Sequence, residues 1–276
     1  MKVYISVDLE GISGVVASHQ CTSTLGAPLE VRRLVTGDVN SAIAGARRSG
    51  ATTIYINENH SGRDLLCDEL DPVAETLIGK PKPLMTLEGL DSSFACVFMI
   101  GAHAAAGTEH AVLDHTWSAK CIQNVRVNGV RVGETGLNAI LAGHFDVPLA
   151  LVTGDLATVQ EAQALLGDVE VAVVKEAVDR YAARCPHPAV AQKRIEEAAA
   201  RALTRIRRFK PFKLEPPLNL EIDYTNTAFA SVACWIPTAQ RSGPRTVAFQ
   251  APDWLALMKT FIAAATLPRT VDDPVY

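Results

Sequence analysis

The chain has 276 residues, of which 48% are hydrophobic and 20% charged, the balance of a globular protein with a sizeable core. With 26 Lys and Arg against 30 Asp and Glu, its formal charge is −4, so no general attraction to nucleic acid or to an anionic membrane is expected. Six cysteines occur without a Cys-x-x-Cys pair, which argues against a thiolate zinc site and against a disulfide framework.

The N-terminal half alternates strand and helix patterns, beginning with a short apolar run. Residues 3–8 are predicted to form a buried strand, because a nearly continuous apolar run is typical of a parallel sheet covered on both faces. Asp8 and Glu10 interrupt this run too early for a signal-peptide core or a membrane span, so a cytoplasmic protein is expected. The next predicted elements are a helix at 28–48 and strands at 53–57 and 94–100.

The rest of the chain continues the alternation. Residues 124–132 alternate around Asn128-Gly129, which predicts a β-hairpin. Asp155 is predicted to cap a helix that follows a strand. The predicted elements after the hairpin are a helix beginning at 135, a strand at 147–152, the helix after Asp155, a strand at 169–174, a helix at 188–207, a proline-rich linker at 211–217, strands at 219–224 and 246–250, and a closing helix at 254–265.

This order of elements predicts an α/β fold of three layers, in which a mainly parallel sheet is flanked by helices. Crossovers between its parallel strands are expected to be right-handed. Residues 1–276 are expected to form a single domain. Within it, the hairpin and its surroundings, from about 80 to 217, are expected to form an inserted lobe.

Side chains of the kinds that bind metals follow the predicted strands where each strand ends. Asp8 and Glu10 close the first strand, and His60 and His103 follow the second and third. In open parallel sheets, ligands bind outside the carboxyl ends of the strands. Two carboxylates and two imidazoles suit zinc, manganese or a related divalent ion. Glu134, at a predicted helix start after the hairpin, would complete a second metal site.

Each of these five residues also has an ordinary structural interpretation. A carboxylate after a strand is commonly a helix cap or a loop residue, and an isolated histidine is commonly a hydrogen-bonding partner. His115, in the polar segment 113–117, has two interpretations as well. It either exchanges a proton with a metal-bound water near neutral pH or is a loop histidine hydrogen-bonded to the backbone.

Sequence signatures of several other enzyme classes do not occur. The chain contains no Gly-x-Gly-x-x-Gly fingerprint and no phosphate-binding loop, which disfavours a nucleotide cofactor. It also contains no Gly-x-Ser-x-Gly elbow of a serine hydrolase and no His-Glu-x-x-His zinc helix. If a metal is bound, its ligands must therefore come from separate segments.

At these residues the chain resembles the DppA-like D-aminopeptidases, metallopeptidases first described as dipeptide transport proteins. The most specific match is Ser-Val-Asp-Leu-Glu-Gly-Ile-Ser-Gly at 6–14. The single-histidine motifs are weak alone, but they occur in the family's order. The other matching stretches are 56–61, 101–104, 114–116, 133–139, 152–155 and 174–175.

The resemblance implies a binuclear zinc aminopeptidase that works by metal-activated water. It implies two zinc ions per chain, with Asp8 as the bridging ligand and a role for His115 that family descriptions call nucleophilic. Whether His115 is a nucleophile, an acid–base group or an oxyanion donor stays open. The implied substrates are short peptides or amino-acid amides with an N-terminal D-amino acid, and the implied assembly is a homo-oligomer, a decameric ring. The implied metal ligands are Asp8, Glu10, His60, His103 and Glu134.

The sequence departs from the family's pattern at Glu58-Asn59, in the alanine-rich stretch 104–106 and around residues 185–187, and these departures bear on substrate choice. Two other functions remain open. One is a peptide-binding accessory protein of a dipeptide permease, without catalysis. The other is a binuclear metal phosphoesterase, which would be expected to place Lys or Arg beside the metals. No such residue flanks the ligand motifs, so Lys175 or Arg180 would have to approach from elsewhere.

Overall fold

The structure, a computed structural model, describes residues 1–21 and 26–271. The strands of its main sheet are β1 (Lys2–Val7), β2 (Thr53–Glu58), β3 (Ala74–Leu77), β4 (Cys96–Ile100), β7 (Leu149–Asp155), β8 (Glu170–Asp179) and β9 (Ala182–Arg184). Their order across the sheet is β3-β2-β1-β4-β7-β8-β9. Neighbouring strands are parallel from β3 to β8, and β9 is antiparallel to β8.

A second, smaller sheet is antiparallel throughout. Its strands are β5 (Ile122–Val127), β6 (Val130–Arg131), β10 (Leu218–Tyr224), β11 (Gln240–Arg241) and β12 (Thr246–Ala251), in the order β11-β12-β10-β5-β6. The predicted hairpin is confirmed as β5 and β6, since Asn128 and Gly129 between them both have positive φ, 50° and 79°. Positive φ at both turn residues is the conformation that Asn-Gly favours in a two-residue hairpin.

Helices cover both faces of the main sheet. The helices of the described residues are α1 (Ser18–Cys21), α2 (Leu29–Arg48), α3 (Glu134–His144), α4 (Leu156–Leu166), α5 (Pro188–Thr204), α6 (Thr227–Ala233) and α7 (Trp254–Thr266), and short 3-10 turns occur at Met85–Leu87, Ile206–Arg208 and Leu267–Thr270. Helices α2 and α5 pack against each other and against one face. The opposite face packs against α3, α4 and the second sheet.

The residues of β1 explain why the sheet needs cover on both faces. Val3, Ile5 and Val7 belong to the hydrophobic cluster under α2 and α5, whereas Tyr4 belongs to the cluster on the opposite face. All four side chains are buried. Because burying a large apolar side chain contributes roughly 1.5–3 kcal/mol, both faces stabilise the position of β1 in the centre of the sheet.

The predicted α/β class, with a mainly parallel sheet flanked by helices, is confirmed. Asp155 caps α4 as predicted, accepting a hydrogen bond from the backbone of Thr158. The sequence does not predict β3, which is short and only half-buried, nor α6. The arrangement of 1–276 as a single domain with an inserted lobe at about 80–217 stays a prediction.

None of the helices within residues 1–21 and 26–271 combines the length and the apolar character that crossing a membrane requires.

Candidate metal centre

The site lies where the order of strands in the main sheet reverses. From β1 the chain moves outward to β2 and β3, and then returns to the other side of β1 as β4. The carboxyl ends of β1 and β4 therefore lie side by side at a topological switch point, the place where open α/β sheets bind ligands. The loops beyond them are in contact, because Asp8 N donates to Ile100 O at 2.9 Å and Gly11 N to Gly101 O at 2.8 Å.

Two glycines permit this close approach. A Cβ on Gly11 would lie 1.8 Å from Ala102 O. Gly101 has φ +79°, and a Cβ there would lie 2.3 Å from Asp8 O. Any other residue at either position would push the two loops apart, and Asp8 would then be separated from His103.

The structure brings together all six residues that the sequence singles out for chemistry. They line one cavity of about 320 Å³. Four of them, Asp8, Glu10, His60 and His103, follow strands of the main sheet, and Glu134 is the first residue of α3. The six residues are Asp8, Glu10, His60, His103, His115 and Glu134.

Within this cavity the carboxylates and imidazoles face one another. His103 Nε2 is 3.2 Å from Glu134 Oε1 and 3.6 Å from Asp8 Oδ2. His60 Nε2 is 3.4 Å from Glu10 Oε1. Ligand atoms of Asp8, Glu10 and His103 all lie within 4.8 Å of one another. This spacing lets one cation contact side chains from several loops.

His115 lies directly over His103. Their rings are parallel within 7°, and the ring centroids are 4.0 Å apart. His115 Nδ1 is 2.8 Å from Leu113 O, so the hydrogen bond expected of a loop histidine is present. Its Nε2 is 3.9 Å from both Glu10 Oε1 and Glu134 Oε1. With Nδ1 protonated and donating to the carbonyl, Nε2 directs its lone pair into the cavity.

The electrostatics of the site reflect three buried carboxylates in a small volume. Burial raises the pKa of Asp8, and the neighbouring Glu10 carboxylate raises it further. Burial alone would lower the pKa of His60, but Glu10 and Asp64 raise it to about 11. In the same way Glu134 outweighs burial and raises the pKa of His103 to about 10. The carboxylates thus create a field that stabilises positive charge at this point.

Two buried polar atoms indicate that a cation fits this field. Glu10 Oε2 and His103 Nε2 have no hydrogen-bond partner among the described residues. A buried polar atom without a partner destabilises a fold by about 1–3 kcal/mol, so such atoms call for a ligand. Imidazole nitrogens and carboxylate oxygens are donors that zinc accepts, and the residues present therefore fit a zinc site.

Sequence reasoning missed Asp64, which supports His60 from behind. Asp64 Oδ2 is 3.0 Å from His60 Nδ1, and its Oδ1 accepts a hydrogen bond from Ala27 N at 2.7 Å. Burial would raise the pKa of Asp64, but the hydrogen bonds from His60, Ala27 and Ser61 lower it to about 2. A carboxylate behind a metal-binding histidine fixes the ring and its tautomer. An Asp four residues after the His, in a loop, carries no sequence signal that distinguishes this role.

Lys175 fixes the loop that carries Glu10. It is 1% exposed, and its Nζ donates to Glu10 O at 2.5 Å, to Ile12 O at 3.0 Å and to Val15 O. Burial lowers the pKa of Lys175 to about 8. The ammonium group is therefore engaged by backbone carbonyls and does not line the cavity. Lys175 is thus not the cation beside the metals that a phosphoesterase would be expected to have.

Replacing Lys175 with Met is expected to lower the free energy of unfolding by at least about 3 kcal/mol, because three carbonyls lose a buried donor worth about 1–3 kcal/mol each. The measurement is urea unfolding followed by circular dichroism. The matched control is Lys259→Met on the exposed face of α7, for which a change within about 0.5 kcal/mol is expected. Equal stability of the two variants would contradict the role assigned to Lys175.

Comparison with known proteins identifies the family. A family model described as D-aminopeptidase matches residues 1–263. The chain belongs to the D-aminopeptidase family. A D-aminopeptidase of Bacillus subtilis (strain 168) is 36% identical to it over 271 residues, which are 97% of each chain.

The same family likeness extends to the fold. The solved structure described as "Zn-dependent D-aminopeptidase DppA from Bacillus subtilis, a self-compartmentalizing protease" is 33% identical and superposes with a TM-score of 0.95, covering 99% of this chain and 100% of that one. Membership of the D-aminopeptidase family confirms the resemblance seen in the motifs, and with it the prediction of a hydrolase acting on peptide bonds. Neither the non-catalytic binding protein nor the phosphoesterase is retained.

Proposed function

We propose that this protein is a binuclear zinc D-aminopeptidase that releases the N-terminal D-amino acid from short peptides or amino-acid amides. The observation that supports this proposal most is the convergence of five carboxylate and imidazole ligands, with His115, in one cavity. The description of the related DppA structure as Zn-dependent supports the choice of metal.

The proposed ligands divide into two groups around Asp8. Glu10 and His60 form one group, 3.4 Å apart, and His103 and Glu134 form the other, 3.2 Å apart. Ligand atoms of Asp8, Glu10 and His103 lie within 4.8 Å of one another, so Asp8 would help to hold the zinc ion at each group. Trp117 N donates to Glu134 Oε1 at 2.7 Å, so that carboxylate is already oriented by the backbone.

When bound, two zinc ions supply Lewis-acid polarisation of the scissile carbonyl and lower the pKa of a water nearby. The proposed role of His115 is proton transfer. Burial, and then the proximity of His103, lowers the pKa of His115, so its imidazole is neutral near pH 7 and can accept at Nε2 the proton that the attacking water loses. Leu113 O holds the Nδ1 proton, so the ring stays oriented. His115 then donates the proton to the leaving amine.

We also propose that the protein forms a homo-oligomer. The related DppA is described as a self-compartmentalizing protease. In this chain several large apolar side chains are exposed, including Trp235 (72%), Val178 (67%) and Tyr181 (61%), and burial of such side chains favours association. A decameric ring and a cytoplasmic location stay predictions.

The function is tested with matched D- and L-alanine amides and D- and L-alanyl dipeptides, assayed before and after treatment with a chelator. Cleavage of the D-series is expected, with activity lost after chelation and restored by Zn²⁺, because the polarising ions contribute several kcal/mol to transition-state stabilisation. Cleavage that survives complete metal removal would contradict the metal mechanism. A preference for the L-series would contradict the proposed stereochemistry.

A further inference from the structure

A second cavity of about 500 Å³ adjoins the metal centre. The two cavities share part of their walls, namely Glu10, His60, His115, Trp117 and Arg269. The second cavity is therefore continuous with the place where the scissile bond would lie. A substrate group attached to that bond can enter it.

The walls of the two cavities carry four cationic side chains, and three of them are engaged. Lys80 Nζ donates to His60 O. Lys120 Nζ donates to Val271 O at 3.2 Å, and Arg180 Nη1 pairs with Asp114 Oδ1 at 2.5 Å. The charged groups of these three side chains are therefore already engaged by other residues of the protein.

Arg269 differs from the other three. It lies in the 3-10 turn Leu267–Thr270 and lines both cavities. Within residues 1–21 and 26–271 its guanidinium makes no hydrogen bond and no ion pair. It is an exposed cation at the junction of the metal centre and the second cavity, and no described residue engages its donors.

We propose that Arg269 binds the C-terminal carboxylate of a short peptide whose scissile bond lies at the metal centre. The inference rests on the proposed aminopeptidase function. A guanidinium matches a carboxylate with two parallel hydrogen bonds. In a dipeptide, a single residue, at most about 3.6 Å long, separates the scissile bond from the carboxylate end. A carboxylate so close to the scissile bond would lie near the junction of the two cavities, where Arg269 is located.

This role would make Arg269 a specificity-determining residue rather than part of the reacting centre. Free dipeptides would gain binding from the ion pair, and their C-terminal amides would not, since an amide carries no charge. Longer peptides would carry the carboxylate beyond the reach of a side chain at this position. The substrate class favoured by the site is therefore free dipeptides.

The test compares wild type and Arg269→Gln as zinc-loaded protein on two substrates: a D-alanyl dipeptide with a free carboxylate, and the same dipeptide with a C-terminal amide. For the free dipeptide, KM is expected to rise about 10- to 100-fold with kcat nearly unchanged, the pattern of lost ground-state binding. For the amide, the KM values of wild type and Arg269→Gln are expected to agree within about 3-fold, since neither protein forms an ion pair with an uncharged C-terminal amide. Arg269→Lys is expected to recover part of the loss, because it keeps the charge but not the two-pronged geometry.

The control Arg207→Gln removes an exposed arginine in the 3-10 turn Ile206–Arg208 after α5 and is expected to leave KM and kcat for both substrates unchanged. Equal losses of Arg269→Gln on both substrates, or no loss on either, would overturn the inference. Should Arg269→Gln fail to fold, Arg269→Lys decides the matter: its KM is expected to exceed that of wild type for the free dipeptide but not for the amide, and an equal KM on both substrates would overturn the inference. Wild-type cleavage of neither substrate would instead overturn the proposed function itself.

Discussion

Replacing Asp8 with Ala is expected to lower kcat/KM by at least about 10³-fold, corresponding to roughly 4 kcal/mol of transition-state stabilisation. Asp8 is the carboxylate that lies between the two proposed ligand groups, with its Oδ2 3.6 Å from His103 Nε2. Its loss would therefore weaken both metal sites at once. Zinc content is expected to fall from two equivalents per chain to one or fewer, measured by elemental analysis of purified protein.

Two further variants make this experiment specific. Asp8→Asn preserves the shape of the side chain and an oxygen for the hydrogen bond from Leu9 N, 2.9 Å away, but removes the charge. The same loss of zinc in this variant would assign the effect to charge rather than to packing. Asp68→Ala, at an exposed position, serves as the matched control and is expected to keep zinc and activity. Full zinc content in Asp8→Ala would remove Asp8 from the ligand set.

Replacing His115 with Ala is expected to lower kcat about 10²–10⁴-fold while leaving the zinc content unchanged, as for a group that transfers a proton. Its Nε2 faces Glu10 and Glu134, each 3.9 Å away, so it is close to the proposed ligands without replacing any of them. Metal analysis and steady-state kinetics on the same preparation provide the measurement.

His110→Ala is the matched control for His115, because the His110 side chain is 71% exposed and, among the residues that the structure describes, pairs only with Glu109 at 3.5 Å. It is expected to retain activity. Loss of zinc in His115→Ala would instead identify His115 as a ligand, an arrangement compatible with the short spacing of His103, His115 and Glu134. Unchanged activity in His115→Ala would exclude His115 from the reaction.

Elements of the fold with a strong local signal are predictable from the sequence. Residues 3–8 are apolar enough to require cover on both faces, and β1 is indeed covered on both. The Asn128-Gly129 turn and the Asp155 cap depend on the conformations of a few adjacent residues, so local rules apply. Strand β3 is missed because Ala-Glu-Thr-Leu is short and only half-buried. Four residues of this kind show too little alternation of apolar and polar positions to predict a strand.

The sequence by itself determined the longer strands, their alternation with helices, and the recurrence of Asp8, Glu10, His60 and His103 at strand ends. Only the tertiary structure decided which of those ends are neighbours, since strand order is a matter of long-range pairing. It also decided contacts such as Lys175 with the carbonyl of Glu10 and Asp64 with Ala27. Contacts of this kind join residues far apart in the chain through buried hydrogen bonds, and their geometry depends on how whole elements pack, which no local pattern encodes.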